Sequence, residues 1–328
     1  MKILSMIKPE RWRKYIDDPS FFLCHEIVYV PMDADADTVY EAGGDAEIIL
    51  ADAVSPVSGY LIRKMKNLKM IHSEGVGFNK IDVDAATECG VYVCNCKAMN
   101  ATAVAEQTVL LMLGLLRNVL SCDRAEREGR AREVQQAYME EGNLKEIADC
   151  RIGFVGLGAV GKATAGICEA MGAELVYYDL FRLPEEQEKE LNIRYLSLDE
   201  LIKSSDIISL HLPSTEKTMH MVNKEFLSKM KEGSYLVNTS RGDLVVTEDL
   251  LGALKSGHLA GAGLDCVEGE PVTTDNPILK ADEETASKII LSPHIGGITG
   301  SSFRRGYGMI RENIEAVMRG EKPKRCIN

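Results

Sequence analysis

Apolar residues along the first hundred positions fall in short bursts, at 2–7, 46–52, 68–73 and 91–95, each long enough for one buried strand. Between them lie stretches with Met and Leu spaced three or four apart, such as YLIRKMK at 60–66, which read as helix. That alternation predicts βαβ units and a parallel sheet. A long apolar helix follows, over about 101–120, and then a charged stretch at 125–149. Val134, Tyr138, Leu144 and Ile147 punctuate that stretch, so it reads as exposed helix and loop. A second alternation begins at Arg151, with strands at 151–156, 174–179, 206–211, 234–240, 260–265 and 288–294. Asn223 has the chemistry of a helix N-cap, and Gly233 follows shortly after that helix would end. In the final stretch, 301–320, Met309, Ile310, Ile314 and Val317 share one face of an amphipathic helix. The pattern is α/β, with two doubly wound parallel-sheet domains and a cleft expected between them.

A chain of 328 residues has room for two such domains. Its net charge of −12 argues against nucleic acid and against an anionic membrane surface, since both need a basic face. The longest apolar run, at 108–116, is too short to span a bilayer. The opening apolar stretch is strand-length and lacks a cleavage site, so the expected location is the cytoplasm. The nine cysteines form no regular framework and are expected to be reduced. Cys94 and Cys96, with Cys89 nearby, have neither the usual two-residue gap nor a complementing pair. They read as small buried hydrophobes, and no metal is expected.

The first chemical signal is GLGAVG at 156–161, preceded by an apolar strand and followed by a helix. Gly156 permits the tight turn, Gly158 lets backbone approach a pyrophosphate, and Gly161 lets helix and strand pack closely. Ala159 and Val160 open the helix, whose free N–H groups and positive dipole end suit phosphates. Asp179 closes the next strand, where a carboxylate can accept from ribose hydroxyls. It would repel a 2′-phosphate, so NAD is favoured over NADP, although Arg182 stands close by and weakens the preference.

Downstream lie three further segments: NTSRG at 238–242, LDCVEGEP at 264–271 and LSPHIGG at 291–297. Arg241 offers a planar, permanent cation that can hold a carboxylate and polarise the adjacent ketone. His294 can donate the proton that an alkoxide needs after hydride delivery. Glu270 can orient the imidazole and raise its pKa, with Glu268 on the same loop as the competing candidate. Each segment alone is weak. A lone arginine at a strand end is usually a surface ion pair, and a lone histidine is usually structural. Together they suit reduction of a 2-keto acid.

These residues resemble the D-isomer specific 2-hydroxyacid dehydrogenases, a family that includes phosphoglycerate, D-lactate and hydroxyisocaproate dehydrogenases. The resemblance spans essentially the whole chain, through EGVGFNKID (74–82), AVAEQTVLLML (103–113), VGLGAVG (155–161), HLPST (211–215), NTSRGDLV (238–245), GLDCVEGEP (263–271) and SPHIGG (292–297). It implies a Rossmann cofactor domain at 101–298 and a flavodoxin-like substrate domain made of 1–100 and 299–328. It further implies that Arg241 binds substrate, that Glu270 pairs with the imidazole, and that His294 is the acid/base. Asp265 would lie by the nicotinamide, Thr108 would approach the nicotinamide amide, and the amides of Val76 and Gly77 would take the substrate carboxylate. Leu212, Pro213, Thr218, Thr239, Ser240 and Gly297 would line the NAD site. The implied activity is NAD-dependent reduction of a 2-keto acid to the D-2-hydroxy acid, by a homodimer formed through the cofactor domain.

The chain departs from the family pattern in two places. Cys96-Lys97-Ala98 stands where many members have Val-Pro-Gly, and the tryptophan many carry before the glycine turn is missing. Lys97 reads either as a solvent-exposed side chain paired with Glu74 or as a cleft residue favouring a substrate with a second polar group. Glu270 argues against the formate-oxidising branch and Val76 against the phosphite-oxidising one. The competing class is an NAD(H)-sensing corepressor-like scaffold of the same fold, which would not turn substrate over.

Overall fold

Aliphatic and β-branched runs too short for a helix become strands buried on both faces. The segment IILA, Ile48–Ala51, is buried along its whole length. The structure is a computed structural model that describes residues 1–18 and 20–328. It divides into two compact units, Met1–Asn100 with Ile298–Asn328, and Ala101–Gly297. Ile298 falls with the first unit, one residue away from the expected change.

The first unit holds a five-stranded parallel sheet of β1 (Lys2–Ser5), β2 (Glu26–Tyr29), β3 (Ile48–Ala51), β4 (Met70–Ser73) and β5 (Tyr92–Cys94), in the order β2-β1-β3-β4-β5. The strand order reverses between β1 and β3, which is where α/β sheets place ligands at their carboxyl ends. Alternate side chains feed two cores. Leu4, Ile49, Ile71 and Val93 pack with Leu61 and Ala85 on one face. Ile3, Ile48, Leu50 and Met70 pack with Trp12, Phe22, Tyr307 and Ile310 on the other. Each such aliphatic side chain contributes roughly 1.5–3 kcal/mol. The helix Gly300–Met318 covers this second face with Ile310, Ile314 and Val317, while Met309 packs from its flank. Strand β2 escapes the sequence reading. It is an edge strand whose Glu26 and Tyr29 are exposed, so its apolar signal is diluted.

Ala98 adopts φ 65°, a conformation that glycine takes without cost. Its methyl group is exposed, so little packing depends on it. A left-handed L-residue costs about 1–2 kcal/mol, partly offset by glycine's freedom in the unfolded chain. Ala98→Gly is therefore expected to raise the thermal midpoint by about 1–3 °C, measured calorimetrically. A lower midpoint would mean that the methyl group packs after all.

The second unit holds seven parallel strands: β6 (Arg151–Val155), β7 (Glu174–Tyr178), β8 (Ile193–Tyr195), β9 (Ile207–Leu210), β10 (Ser234–Asn238), β11 (Leu259–Leu264) and β12 (Ile289–Leu291). Their order is β12-β11-β10-β9-β6-β7-β8, the doubly wound dinucleotide-binding arrangement with one strand added. The switch point lies between β6 and β9, where Val155 aligns with Leu210. Strand β8, a three-residue edge strand, is the second element not read from the sequence. The long apolar helix ends at Leu116 and not near 120. Asn118 turns at φ 50°, and the next helix, Val119–Arg127, departs at 60°. Helix Ala131–Glu141 and a 3₁₀ turn at Ile147–Asp149 complete the charged stretch. Asn223 caps the helix Lys224–Lys229, accepting from the N–H groups of Glu225 and Phe226. Among the described residues, no single helix is long and apolar enough to cross a membrane.

Candidate active site

The three segments after β10, β11 and β12 meet at the carboxyl edge of the second sheet. Asn238 shapes the first. Its side-chain oxygen accepts from the Ser240 N–H and hydroxyl, and its amide donates to the Arg241 carbonyl at 2.8 Å. Arg241 emerges from that turn exposed, with one Nη1–H donated to the Ser240 carbonyl. His294 sits in the left-handed region, at φ 53°. Asp265 holds it there. One oxygen of this buried carboxylate accepts from the Ser292 hydroxyl and the Ile295 N–H, the other from the Gly296 N–H, and its carbonyl accepts from the His294 N–H. Gln107 adds a bond to the Ser292 hydroxyl at 2.9 Å.

His294 Nδ1 lies 2.7 Å from Glu270 Oε2. A carboxylate only accepts, so the proton sits on Nδ1 and Nε2 is left to face outward. Glu270 Oε1 also accepts from the Val267 N–H at 2.7 Å, which fixes the carboxylate. The hydrogen bond to Glu270 raises the His294 pKa above its usual 6.5, against burial and the positive charge of Arg241. Burial pushes Glu270 upward, but His294, the Val267 N–H and Arg241 outweigh it and hold the carboxyl below the usual range. The two shifts agree: the pair favours imidazolium beside carboxylate. Glu268, the competing candidate, is engaged elsewhere, with His220 Nε2 at 2.8 Å and the Thr247 N–H at 3.0 Å.

The glycine turn follows β6 at the switch point. Gly156 takes φ +91°, and a Cβ there would lie 2.7 Å from the His211 carbonyl. Gly158 has open space where a side chain would project, and it begins the helix Ala159–Ala170, whose first amides are free to meet an anion. Asp179 follows β7. One of its oxygens accepts from the Leu157 N–H at 2.8 Å, the other from the Phe181 N–H at 3.0 Å. Arg182 is drawn away from it by a two-point pair with Glu188, at 2.9 and 3.0 Å, and lies over the Tyr195 ring. The turn can therefore hold a dinucleotide pyrophosphate, and the Asp179 carboxylate can hold its ribose.

Residues 109–296, more than half the chain, match the family described as D-isomer specific 2-hydroxyacid dehydrogenase, NAD binding domain. A glyoxylate reductase of Thermofilum pendens is 36% identical over 284 residues, covering 87% of this chain and 82% of that protein. A hydroxypyruvate reductase of Blautia hydrogenotrophica is 33% identical over 294 residues, covering 90% and 88%. Among solved structures, the apo D-mandelate dehydrogenase of Rhodotorula graminis superposes with a TM-score of 0.86 at 28% identity, over 100% of this chain and 97% of that one. The chain belongs to the D-isomer specific 2-hydroxyacid dehydrogenase family. Its second unit carries the NAD-binding domain of that family, and the chain is an oxidoreductase of this type.

In this dehydrogenase several expected cofactor-site residues are tied up internally. The Thr108 hydroxyl is fully buried between the Val104 carbonyl and the Thr239 hydroxyl, 2.7 and 2.8 Å away. Thr218 closes the loop that starts at Leu212 and Pro213, by donating to the Pro213 carbonyl and accepting from the Thr215 N–H. Cys266, Glu270 and His294 place potential ligand atoms within 4.8 Å of one another, which raises the question of a metal. The donors do not suit one. The Cys266 thiol is turned to the Ser240 carbonyl, and Glu270 is already committed to His294 and Val267.

In the first unit, the loop after β4 presents a different feature. The Gly75 carbonyl accepts from the Cys96 N–H, the Val76 carbonyl from the Asn95 side chain at 2.7 Å, and the Gly77 carbonyl from the Ser73 hydroxyl at 2.6 Å. Among the described residues, the N–H groups of Val76 and Gly77 meet no protein acceptor. With three successive carbonyls turned inward, two adjacent amides are offered to an anion. Lys97 is exposed and, among the described residues, forms no ion pair. The expected Lys97–Glu74 pair is not formed, because Glu74 is buried and faces Arg11 at 3.0 Å. Sequence reasoning missed Asn238, Asp265 as a clamp, Ser73 and Asn95. The signal for each is a short polar side chain at a strand end, where backbone groups leaving the sheet need partners: Ser73, Asn95 and Asn238 donate to carbonyls, and Asp265 accepts from N–H groups.

Proposed function

We propose that this protein reduces a small 2-keto acid to the D-2-hydroxy acid with NADH, using Arg241, Glu270 and His294. The 2.7 Å contact between His294 and Glu270, inside the NAD-binding domain, carries the proposal. NADH supplies the hydride to the ketone carbon. His294 gives its Nε2 proton to the ketone oxygen as negative charge develops there. Glu270 holds the ring and favours its protonated form. Arg241 binds the carboxylate and polarises the ketone. The free amides of Val76 and Gly77 are assigned to a substrate carboxylate, and Asp265 to holding the His294 loop beside the nicotinamide. Leu212, Pro213, Ser240 and Gly297 are assigned to the rim of the NAD site.

The relatives named glyoxylate and hydroxypyruvate reductase support a substrate of two or three carbons. We assign a homodimer formed through the cofactor unit, supported by exposed Leu110, Val119, Leu120 and Met139 on its helices. Nine free thiols support a reducing cytoplasm. The test is a panel of 2-keto acids with NADH and NADPH, followed by loss of cofactor absorbance. Absence of turnover across the panel, with NADH still bound, would favour a nucleotide-sensing scaffold.

Cofactor choice follows from Asp179. Its carboxylate opposes a 2′-phosphate, Arg182 is occupied by Glu188, and the adjacent helix Glu185–Glu190 is acidic. Asp179→Ala is expected to shrink the preference for NADH over NADPH by about tenfold or more, read as kcat/KM for each. A parent enzyme that already prefers NADPH would sink this assignment.

A further inference from the structure

Behind the free amides of the 74–78 loop, four polar side chains of the first unit converge. Glu74, only 4% exposed, begins that loop at the end of β4. The Tyr307 hydroxyl, from the helix Gly300–Met318, donates to its Oε1. Arg11 Nη2 lies 3.0 Å from its Oε2 and donates to Asp52 Oδ2 at 2.5 Å. Arg11 belongs to the helix Pro9–Tyr15 after β1, and Asp52 follows β3. One guanidinium nitrogen therefore ties together the loops that leave β3 and β4, beside the switch point of this sheet.

This arrangement is costly. Burial pushes the Glu74 carboxyl up to about 7, even though Tyr307 and Arg11 both pull it down. The Arg11 Nε is buried without a partner among the described residues. For stability alone, apolar side chains of similar volume would serve as well or better. What a braced carboxylate adds is direction. The Glu74 N–H donates to the Ala51 carbonyl at 2.8 Å, so backbone and side chain are both anchored. Gly75 comes next and could swivel freely without that anchor. Its carbonyl is held by the Cys96 N–H on the far side, and a Cβ on Gly75 would lie 3.2 Å from Ala53 in the neighbouring loop. The peptide planes leading into Val76 are thus fixed at both ends.

We propose that Glu74, braced by Tyr307 and Arg11, is a positioning residue that orients the Val76 and Gly77 amides and so sets the affinity for the substrate carboxylate. The inference rests on the keto-acid reduction proposed above. Tyr307→Phe keeps the ring and removes one brace. It should raise KM for the preferred 2-keto acid about tenfold while kcat and KM for NADH stay within about twofold. The dissociation constant of oxamate from the enzyme–NADH complex should weaken by a similar factor. Arg11→Met should show the same split, and Arg11→Lys, which keeps the charge, should recover most of it. If KM and the oxamate constant are unchanged while the thermal midpoint drops, or if KM moves no more than kcat, the cluster only holds the fold and the proposal fails. A parent enzyme that turns over no 2-keto acid would overturn the reduction reading and this inference with it. An active parent with an unchanged KM in both variants overturns the inference alone.

Discussion

Replacing His294 with alanine is expected to lower kcat for keto-acid reduction by about 10²–10⁴-fold or more, with NADH binding nearly intact. The imidazole is the one side chain in the trio able to deliver a proton near neutral pH, and its outward Nε2 makes no other bond among the described residues. The segment around it is held mainly through backbone N–H groups by Asp265, so truncation should leave the loop in place. Kinetics at saturating NADH, with the NADH dissociation constant from fluorescence, decide the matter. Turnover within a few-fold of the parent would remove His294 from the chemistry. Loss of NADH binding would instead mean that the ring supports the cofactor site.

Glu270→Gln should shift the pH profile. In the proposed mechanism reduction requires protonated His294, so activity should fall as pH rises through the His294 pKa. In the parent that pKa is raised above 6.5, chiefly by the hydrogen bond that His294 donates to Glu270. A neutral amide removes both the strong acceptor and the charge, so the alkaline limb should move to lower pH. Each unit of downward shift lowers the protonated fraction about tenfold on the alkaline side. The variant should therefore approach parental rates in mildly acidic buffer and fall well below them at pH 8. Since Glu268 is bound to His220 and Thr247, Glu268→Gln should leave this limb where it is. An unmoved limb in Glu270→Gln would refute the pairing as a source of protonation.

Much of the fold could be read from hydrophobic period alone, because buried parallel strands such as IILA and the β6 segment announce themselves on both faces. The two strands that could not be read, β2 and β8, lie at sheet edges. There half the side chains meet water, and the run shrinks to three or four residues. The helix break at Asn118 was equally hidden, since an asparagine in the left-handed region looks like any polar residue on an apolar helix. In the candidate site, Arg241, Glu270 and His294 stood out because their chemistry is unusual beside strand ends. The choice between Glu270 and Glu268 needed geometry, as two carboxylates two positions apart on one loop carry the same signal. Arg11 and Tyr307 could not be linked to Glu74 at all. They lie far away along the chain and meet only once the sheet is assembled.

The pinned carbonyls of the 74–78 loop bear on the entropy of substrate capture. Ser73, Asn95 and Cys96 belong to the same unit as the loop, and their bonds require no ligand. The two donor amides are thus presented before a carboxylate arrives, and binding need not freeze a wandering segment. Ordering five residues would cost on the order of 1–2 kcal/mol each in backbone freedom, a charge that folding has already met. A small acid of two or three carbons makes few contacts and could not supply that much on arrival. On the proposed assignment, a cradle assembled in advance is what would allow so small a molecule to be held.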